Sequence, residues 1–143
     1  LAPTSIDVRY DASASADFAD VEALRNDASQ RLVDARATPR FRGEVEPLDP
    51  VAGHVPGAIN RPFADNLDAS GRFKSPDALR AEWSRVLGDV SPARVVHMCG
   101  SGVTACHNLL AMEHAGLSGS RLFLPSWSGW VADRSRAVAT GDA

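Results

Sequence analysis

The sequence predicts an α/β fold: an open, mostly parallel sheet with helices on both faces. Three observations carry this expectation. Short apolar runs of strand length alternate with segments whose apolar residues recur at helical spacing. One such run, Val95–Met98, passes through Cys99-Gly100-Ser101-Gly102 straight into a second apolar segment of helix length. Ser75-Pro76-Asp77 opens another helix, with Ser as cap and Pro at the first helical position, and Gly88 closes it. Strand, helix and strand in alternation are the units from which parallel sheets are assembled, because a parallel return needs a crossover.

Each element follows from its residues. Residues 1–15 are rich in Ala, Ser, Asp and Thr, with only Ile6 and Val8 as a short apolar pair, and read as an arm leading into a domain over 16–143. Asp17 caps a helix whose apolar positions are Phe18, Val21, Leu24 and Ala28. Residues 31–35 form a short strand. Residues 36–57, with four prolines and three glycines, read as a long irregular loop. Residues 58–63 are a further short strand or edge segment. In the helix that Ser75 opens, Leu79, Trp83, Val86 and Leu87 make the buried stripe. Val95–Met98 is the central strand, and the helix after it runs to Gly116 with Leu109, Leu110 and Met112 on its inner side. Residues 122–124 are a last strand. Residues 125–130 then turn into a final helix over 130–138, and the tail is polar.

Composition narrows the function. The chain has 143 residues, enough for one domain with a full core, and 44% hydrophobic residues, which is ordinary globular composition. A net charge of −3 offers no footprint for nucleic acid. No apolar run reaches membrane-spanning length and no signal-peptide pattern opens the chain. Cys99 and Cys106 lie on one strand-turn-helix segment in a poor geometry for a disulfide, which points to a reducing compartment, most simply the cytoplasm. His97, His107 and His114 scatter along the same segment without ligand spacing, so neither a metal nor another cofactor is expected.

The chemistry is concentrated at Cys99. A strand that ends in Cys and turns sharply into a helix aims successive backbone N–H groups and the positive helix end at one point. Such donors favour an anionic sulfur over a neutral thiol. In open sheets of this class the crevice beyond the carboxyl ends of the strands is the binding site, and the Cys99 loop falls there. The loop over 36–57 brings three cations close in sequence, Arg36, Arg40 and Arg42.

Six stretches together carry a resemblance to a known family. They are Val33-Asp34-Ala35-Arg36, Arg40-Phe41-Arg42-Gly43, Gly53-His54-Val55-Pro56-Gly57-Ala58-Ile59-Asn60, Cys99-Gly100-Ser101-Gly102-Val103-Thr104, Pro125-Ser126-Trp127-Ser128-Gly129-Trp130 and Val138-Ala139-Thr140-Gly141-Asp142. From about residue 15 onward the chain resembles the rhodanese sulfurtransferases, specifically the carboxy-terminal catalytic domain of their two-domain members. The resemblance implies a rhodanese-like fold and sulfur transfer by a ping-pong route through a persulfide on Cys99. A small donor, thiosulfate or 3-mercaptopyruvate, delivers the sulfur, and cyanide, a thiol or a reduced thioredoxin accepts it. Gly100, Gly102, Val103 and Thr104 are implied as the loop that cradles the sulfane sulfur. Ser101 is implied as the proton-moving residue when pyruvate leaves. Arg40 matches the family's substrate arginine, Arg42 is a candidate helper, and Asp34 and Arg36 are expected to brace the loops.

The same resemblance exposes two departures. Thiosulfate-using members resemble one another in carrying Arg and Lys after the Cys, whereas Gly100 and Ser101 leave this loop neutral, as in the 3-mercaptopyruvate class. That class in turn carries a second arginine after Glu-Pro, where this chain has Glu46-Pro47-Leu48. The resemblance also implies an amino-terminal partner domain, which this sequence does not contain. Two other readings compete. A phosphatase built on a similar loop needs an Arg six positions after the Cys, and Ala105 stands there. A non-catalytic or redox-sensing module would use Cys106 as a resolving thiol, but its helical position predicts a merely buried residue.

Overall fold

The computed structural model describes residues 5, 7–9 and 11–142. Ile6, half of the apolar pair in the arm, lies outside the described residues, and Val8 is exposed. The elements are β1 (Ser15–Ala16), α1 (Phe18–Leu24), β2 (Arg31–Asp34), α2 (Thr38–Phe41), β3 (Ala58–Asn60), α3 (Pro76–Leu87), β4 (Val95–Met98), α4 (Val103–His114), β5 (Arg121–Phe123) and α5 (Ser126–Ala132). The sheet order is β1-β5-β4-β2-β3, and every pairing is parallel.

Period-two alternation sorts the strand residues onto two faces. Leu32, Val96, Met98 and Phe123 pack with Val21 and Leu24 of α1 and with Trp127, Trp130 and Val131 of α5. Val33 and Val95 pack on the opposite side with Leu79, Trp83 and Leu87 of α3 and with Ala111 and Met112 of α4. The sheet is therefore covered on both faces, as its apolar central strands require. His97 points into the second layer, edge-on to Trp83, with neither ring nitrogen hydrogen-bonded among the described residues. Burial pulls its pKa down to about 3.

Local chemistry sets the element ends. Asp17 and Asp20 form a reciprocal capping box at α1. Asp27 stops the chain after α1 by accepting from the Ser29 backbone and hydroxyl. Ser75 Oγ accepts from the Ala78 N–H at 3.3 Å. At the end of α4, Gly116 adopts φ 70° and the Leu117 N–H reaches back to the Met112 carbonyl.

Four details differ from the sequence expectation. Ser15, the last residue expected in the arm, belongs with Ala16 to a sheet strand paired with Leu122 and Phe123. The 36–57 loop contains a helical turn, α2, whose single buried side chain is Phe41. In α4 the buried stripe is Ala105, Asn108, Ala111 and Met112, at helical spacing, and Leu110 is turned out to solvent. The last helix begins at Ser126 and ends at Ala132, because Trp127, Trp130 and Val131 supply the i, i+3, i+4 stripe and Asp133 returns to extended backbone. No helix among the described residues is long and apolar enough to cross a membrane.

Candidate active site

β2 and β4 are neighbours in the sheet, but the chain leaves β2 for β3 on one side and returns to β4 on the other. Their carboxyl ends therefore flank the crevice where the strand order reverses. The Ala35 N–H extends the pairing by donating to the Met98 carbonyl. Beyond it, a cavity of about 330 Å³ opens between the loop after β2 and the loop after β4.

Cys99 lies at the base of this cavity, 2% exposed. Its peptide is held from the far side by α5: Ser126 Oγ accepts from the Cys99 N–H at 3.1 Å and donates to the Phe123 carbonyl at 3.0 Å. The Trp127 and Ser128 N–H groups donate to the Cys99 and Gly100 carbonyls, each at 2.9 Å. Ser126 holds this position at φ 52°, a left-handed conformation unusual for a residue with a side chain. Ser126 and the start of α5 are thus part of the site's framework, which the sequence did not single out. The only signal was the Ser-Trp-Ser turn itself.

Gly102 makes the turn possible. It sits at φ 86°, and a Cβ there would lie 2.9 Å from the Leu124 carbonyl oxygen. It offers α4 no side-chain cap, so the first N–H groups of that helix are not occupied by a capping oxygen. Gly100, Ser101, Val103 and Thr104 all line the cavity beside Cys99.

The opposite wall is an ion-pair ladder. Asp34 receives Arg36 Nε at 3.0 Å and Arg36 Nη2 at 2.7 Å, and Nη2 also donates to the Gly53 carbonyl at 2.7 Å. Arg36 Nη1 lies 3.4 Å from Glu46, and Arg40 Nη2 donates to Glu46 at 2.7 Å. Glu46 additionally accepts the Leu48 and Asp49 backbone N–H groups. Burial pushes the Glu46 carboxyl up, but Arg40 and the two backbone donors outweigh it, and its pKa is lowered overall. Glu46 is the node joining Arg36, Arg40 and the loop backbone.

Arg40 lies over the Cys loop, with Nη1 3.5 Å from where a Cβ on Gly100 would be. Arg42 does not come to the cavity: its Nε bonds Asp142 at 2.6 Å, on the outer side of the loop. That pairing, together with His54 and Ala139 exchanging backbone hydrogen bonds, ties the carboxy-terminal tail to the 36–57 loop. Leu48, Asp49 and Phe63 also line the cavity. Cys106 is exposed rather than buried, since the first turn of α4 faces outward there, and its Sγ–H donates to the Gly102 carbonyl. Among the described residues no cluster of His, Cys, Asp or Glu could hold a metal ion.

Residues 17–133 match the Rhodanese-like domain family. The chain belongs to that family. It is 49% identical over 142 residues to a "Probable 3-mercaptopyruvate sulfurtransferase" of Pseudomonas aeruginosa, covering 99% of this chain and 50% of the relative. It is 39% identical over 114 residues to the thiosulfate sulfurtransferase of Mus musculus, covering 76% of this chain and 38% of that protein. The fold of this rhodanese-like chain superimposes on the Tum1 protein of Saccharomyces cerevisiae with a TM-score of 0.76 at 26% identity, covering 92% of this chain and 48% of the other. The chain thus spans half or less of the length of these relatives.

Proposed function

We propose that this chain is the catalytic unit of a sulfurtransferase that moves a sulfane sulfur from a small donor to a thiophilic acceptor through a persulfide on Cys99. The observation that carries the reading is Cys99 at the base of a cavity floored by a neutral Gly-Ser-Gly loop and overhung by one cation, Arg40. Residues 16–143 form the unit, residues 1–15 lead into it, and in the whole protein an amino-terminal rhodanese domain packs near the site.

The geometry favours 3-mercaptopyruvate over thiosulfate. Arg40 binds the donor carboxylate from above the loop. Cys99 thiolate attacks the donor sulfur, the carbon–sulfur bond breaks, and its electron pair leaves as the enolate of pyruvate. The proton on the transferred sulfur passes to the enolate carbon by way of the Ser101 hydroxyl, leaving Cys99 as an anionic persulfide and releasing pyruvate. The N–H groups of residues 100–104 stabilise that anion much as an oxyanion hole does. An acceptor, cyanide or a thiol such as reduced thioredoxin, then removes the outer sulfur and restores the thiolate. Reaction through free thiols, both cysteines being unbridged, fits a reducing compartment such as the cytoplasm. Asp34, Arg36 and Glu46 act by holding Arg40 and the loop.

The test is initial-rate sulfur transfer to cyanide with 3-mercaptopyruvate and thiosulfate as parallel donors, in the native protein and in Cys99→Ser. The expected result is faster transfer from 3-mercaptopyruvate and none detectable in a folded Cys99→Ser variant. More than trace activity in that variant would remove Cys99 from the chemistry.

A further inference from the structure

A line of buried polar side chains lies behind Phe63, outside the chemistry assigned to Cys99. Trp83 of α3, Asn66 of the 3₁₀ turn Phe63–Asn66 and Asn108 of α4 are all fully buried. Trp83 Nε1–H donates to Asn66 Oδ1 at 3.2 Å, and Asn66 Nδ2 donates to Asn108 Oδ1 at 2.6 Å. Asn108 Nδ2 in turn donates to the Arg61 carbonyl at 2.8 Å. An indole N–H can only donate and a carbonyl oxygen can only accept, so both amides are oriented from their outer ends. His107 Nδ1 stands 3.4 Å from Asn66 Nδ2. The amide therefore meets the imidazole as a donor, which makes Nδ1 the acceptor and leaves the ring proton on Nε2.

The imidazole is wedged between two phenylalanines. Its centroid is 5.3 Å from Phe63, edge to face, and 4.5 Å from Phe73 at 30°. Phe63 lines the Cys99 cavity, as do Val103 and Thr104, which precede His107 by one turn of α4. The ring thus bridges the helix that follows Cys99 to an aromatic wall of the same cavity. Charged groups on the surrounding elements supply it no counter-ion. Arg61 is held by Asp65 and Glu82, Lys74 by Glu82, and Asp68 accepts from Ser70 and the Arg72 N–H. On α4 itself the Cys106 thiol donates to the Gly102 carbonyl, and His114 lies 6.3 Å from Phe73. Burial alone moves the His107 pKa, downward from 6.5. A proton on Nδ1 would meet the Asn66 amide hydrogens and find no acceptor there.

We infer that His107 is a positioning residue of the Cys99 site: as the neutral Nε2–H tautomer it holds Phe63 in the cavity wall, and a proton taken up at Nδ1 breaks its contact with Asn66 and releases that wall. The inference rests on the sulfurtransferase reading and adds to it an acid-sensitive support. His107 exchanges no proton with the donor; it acts only through Phe63.

The experiment has two readouts. The first needs no substrate: nitrogen–proton correlation spectra of the imidazoles from about pH 5 to about pH 8, in the native protein and in Asn66→Asp. His107 should show a protonated Nε2 and a bare Nδ1 at neutral pH. Asn66→Asp, which sets an acceptor opposite Nδ1, should raise its titration midpoint by about one unit or more. The second is kcat/KM for 3-mercaptopyruvate, read as pyruvate release with a dithiol acceptor, over the same range in the native protein and in His107→Phe. Phenylalanine keeps a ring against Phe63 but cannot titrate, and donor and acceptor ionisation cancel in the ratio of the two proteins. Below the His107 midpoint the native protein should lose up to about tenfold per pH unit relative to His107→Phe, chiefly through KM. An Nδ1–H tautomer, an Asn66→Asp midpoint that does not rise, or parallel pH profiles overturns the inference and leaves the sulfurtransferase reading intact. Should one variant not fold, the native spectrum and the other variant decide. A folded native protein that forms no persulfide and releases no pyruvate overturns both.

Discussion

Glu46→Gln tests the ladder directly, because the substitution preserves shape and removes only charge and one acceptor. Glu46 is 4% exposed and accepts at 2.7 Å from Arg40, 3.0 Å from the Leu48 N–H and 3.2 Å from the Asp49 N–H, with Arg36 at 3.4 Å. A Gln oxygen can keep the two backbone donors, but its amide nitrogen cannot face a guanidinium. Breaking a buried pair by removing one partner costs about 3–5 kcal/mol. Arg36 keeps Asp34 and Arg40 is 19% exposed, so the expected cost is smaller than that, about 2–4 kcal/mol. For a domain of this size that is a fall in Tm of about 6–15 °C. Urea denaturation and thermal melts read the stability, and donor kinetics read the release of Arg40 as a raised KM with a smaller change in kcat. The pH dependence has a defined sign. The Glu46 pKa is lowered in the folded state, so its contribution is complete above the ordinary carboxylate range and is lost as pH falls through the folded value. A Gln variant with native stability and native KM would refute the claim that Glu46 joins the loop to the site.

Three further outcomes are expected. Ser126→Ala removes the acceptor of the Cys99 N–H and should cost about 1–3 kcal/mol in denaturation while lowering kcat, since the cysteine peptide loses its tether; kcat unchanged in that variant would make the bond incidental. Arg40→Ala should raise the donor KM by about tenfold or more with a native fold by circular dichroism, and an unchanged KM would take Arg40 out of the site. His97, pulled down to about 3 from 6.5 by burial, binds its proton in the unfolded chain first, so native stability is complete above about pH 6.5 and declines as pH falls towards 3. His97→Leu should therefore flatten the stability profile between those values, where this residue's share of the slope approaches about 1.4 kcal/mol per pH unit; parallel profiles for the two proteins would contradict the burial of an unpaired imidazole.

What the sequence disclosed follows from how local each signal is. The central strand, the Cys-Gly-x-Gly turn and the caps at Asp17 and Ser75 are written in adjacent residues, and all of them recur in the structure. β1 was invisible because Ser15 and Ala16 have no strand chemistry of their own and pair only because the edge of β5 is beside them. α2 was masked by Pro39 and the further prolines of its loop, with one buried side chain to betray it. Leu110 was misplaced because its hydrophobicity was weighed before its helical phase, while the small residue Ala111 takes the inward position. Arg42 stood in sequence as a candidate helper to Arg40, but two positions along a helical turn point to opposite sides, so Arg40 faces the Cys99 loop while Arg42 at the end of α2 pairs with Asp142. Glu46 gains its role by joining its neighbours Leu48 and Asp49 to Arg36 and Arg40, and Ser126 by reaching Cys99 across the sheet end; both depend on a tertiary partner that adjacent residues do not specify.

The central claim is that Cys99 itself carries the sulfur, and the most direct measurement is intact mass with peptide mapping after the protein is mixed with donor in the absence of acceptor. The account predicts a gain of one sulfur atom located on Cys99, discharged when cyanide is added. An unmodified Cys99, a sulfur found on Cys106 instead, or a bond between Cys99 and Cys106 would contradict it.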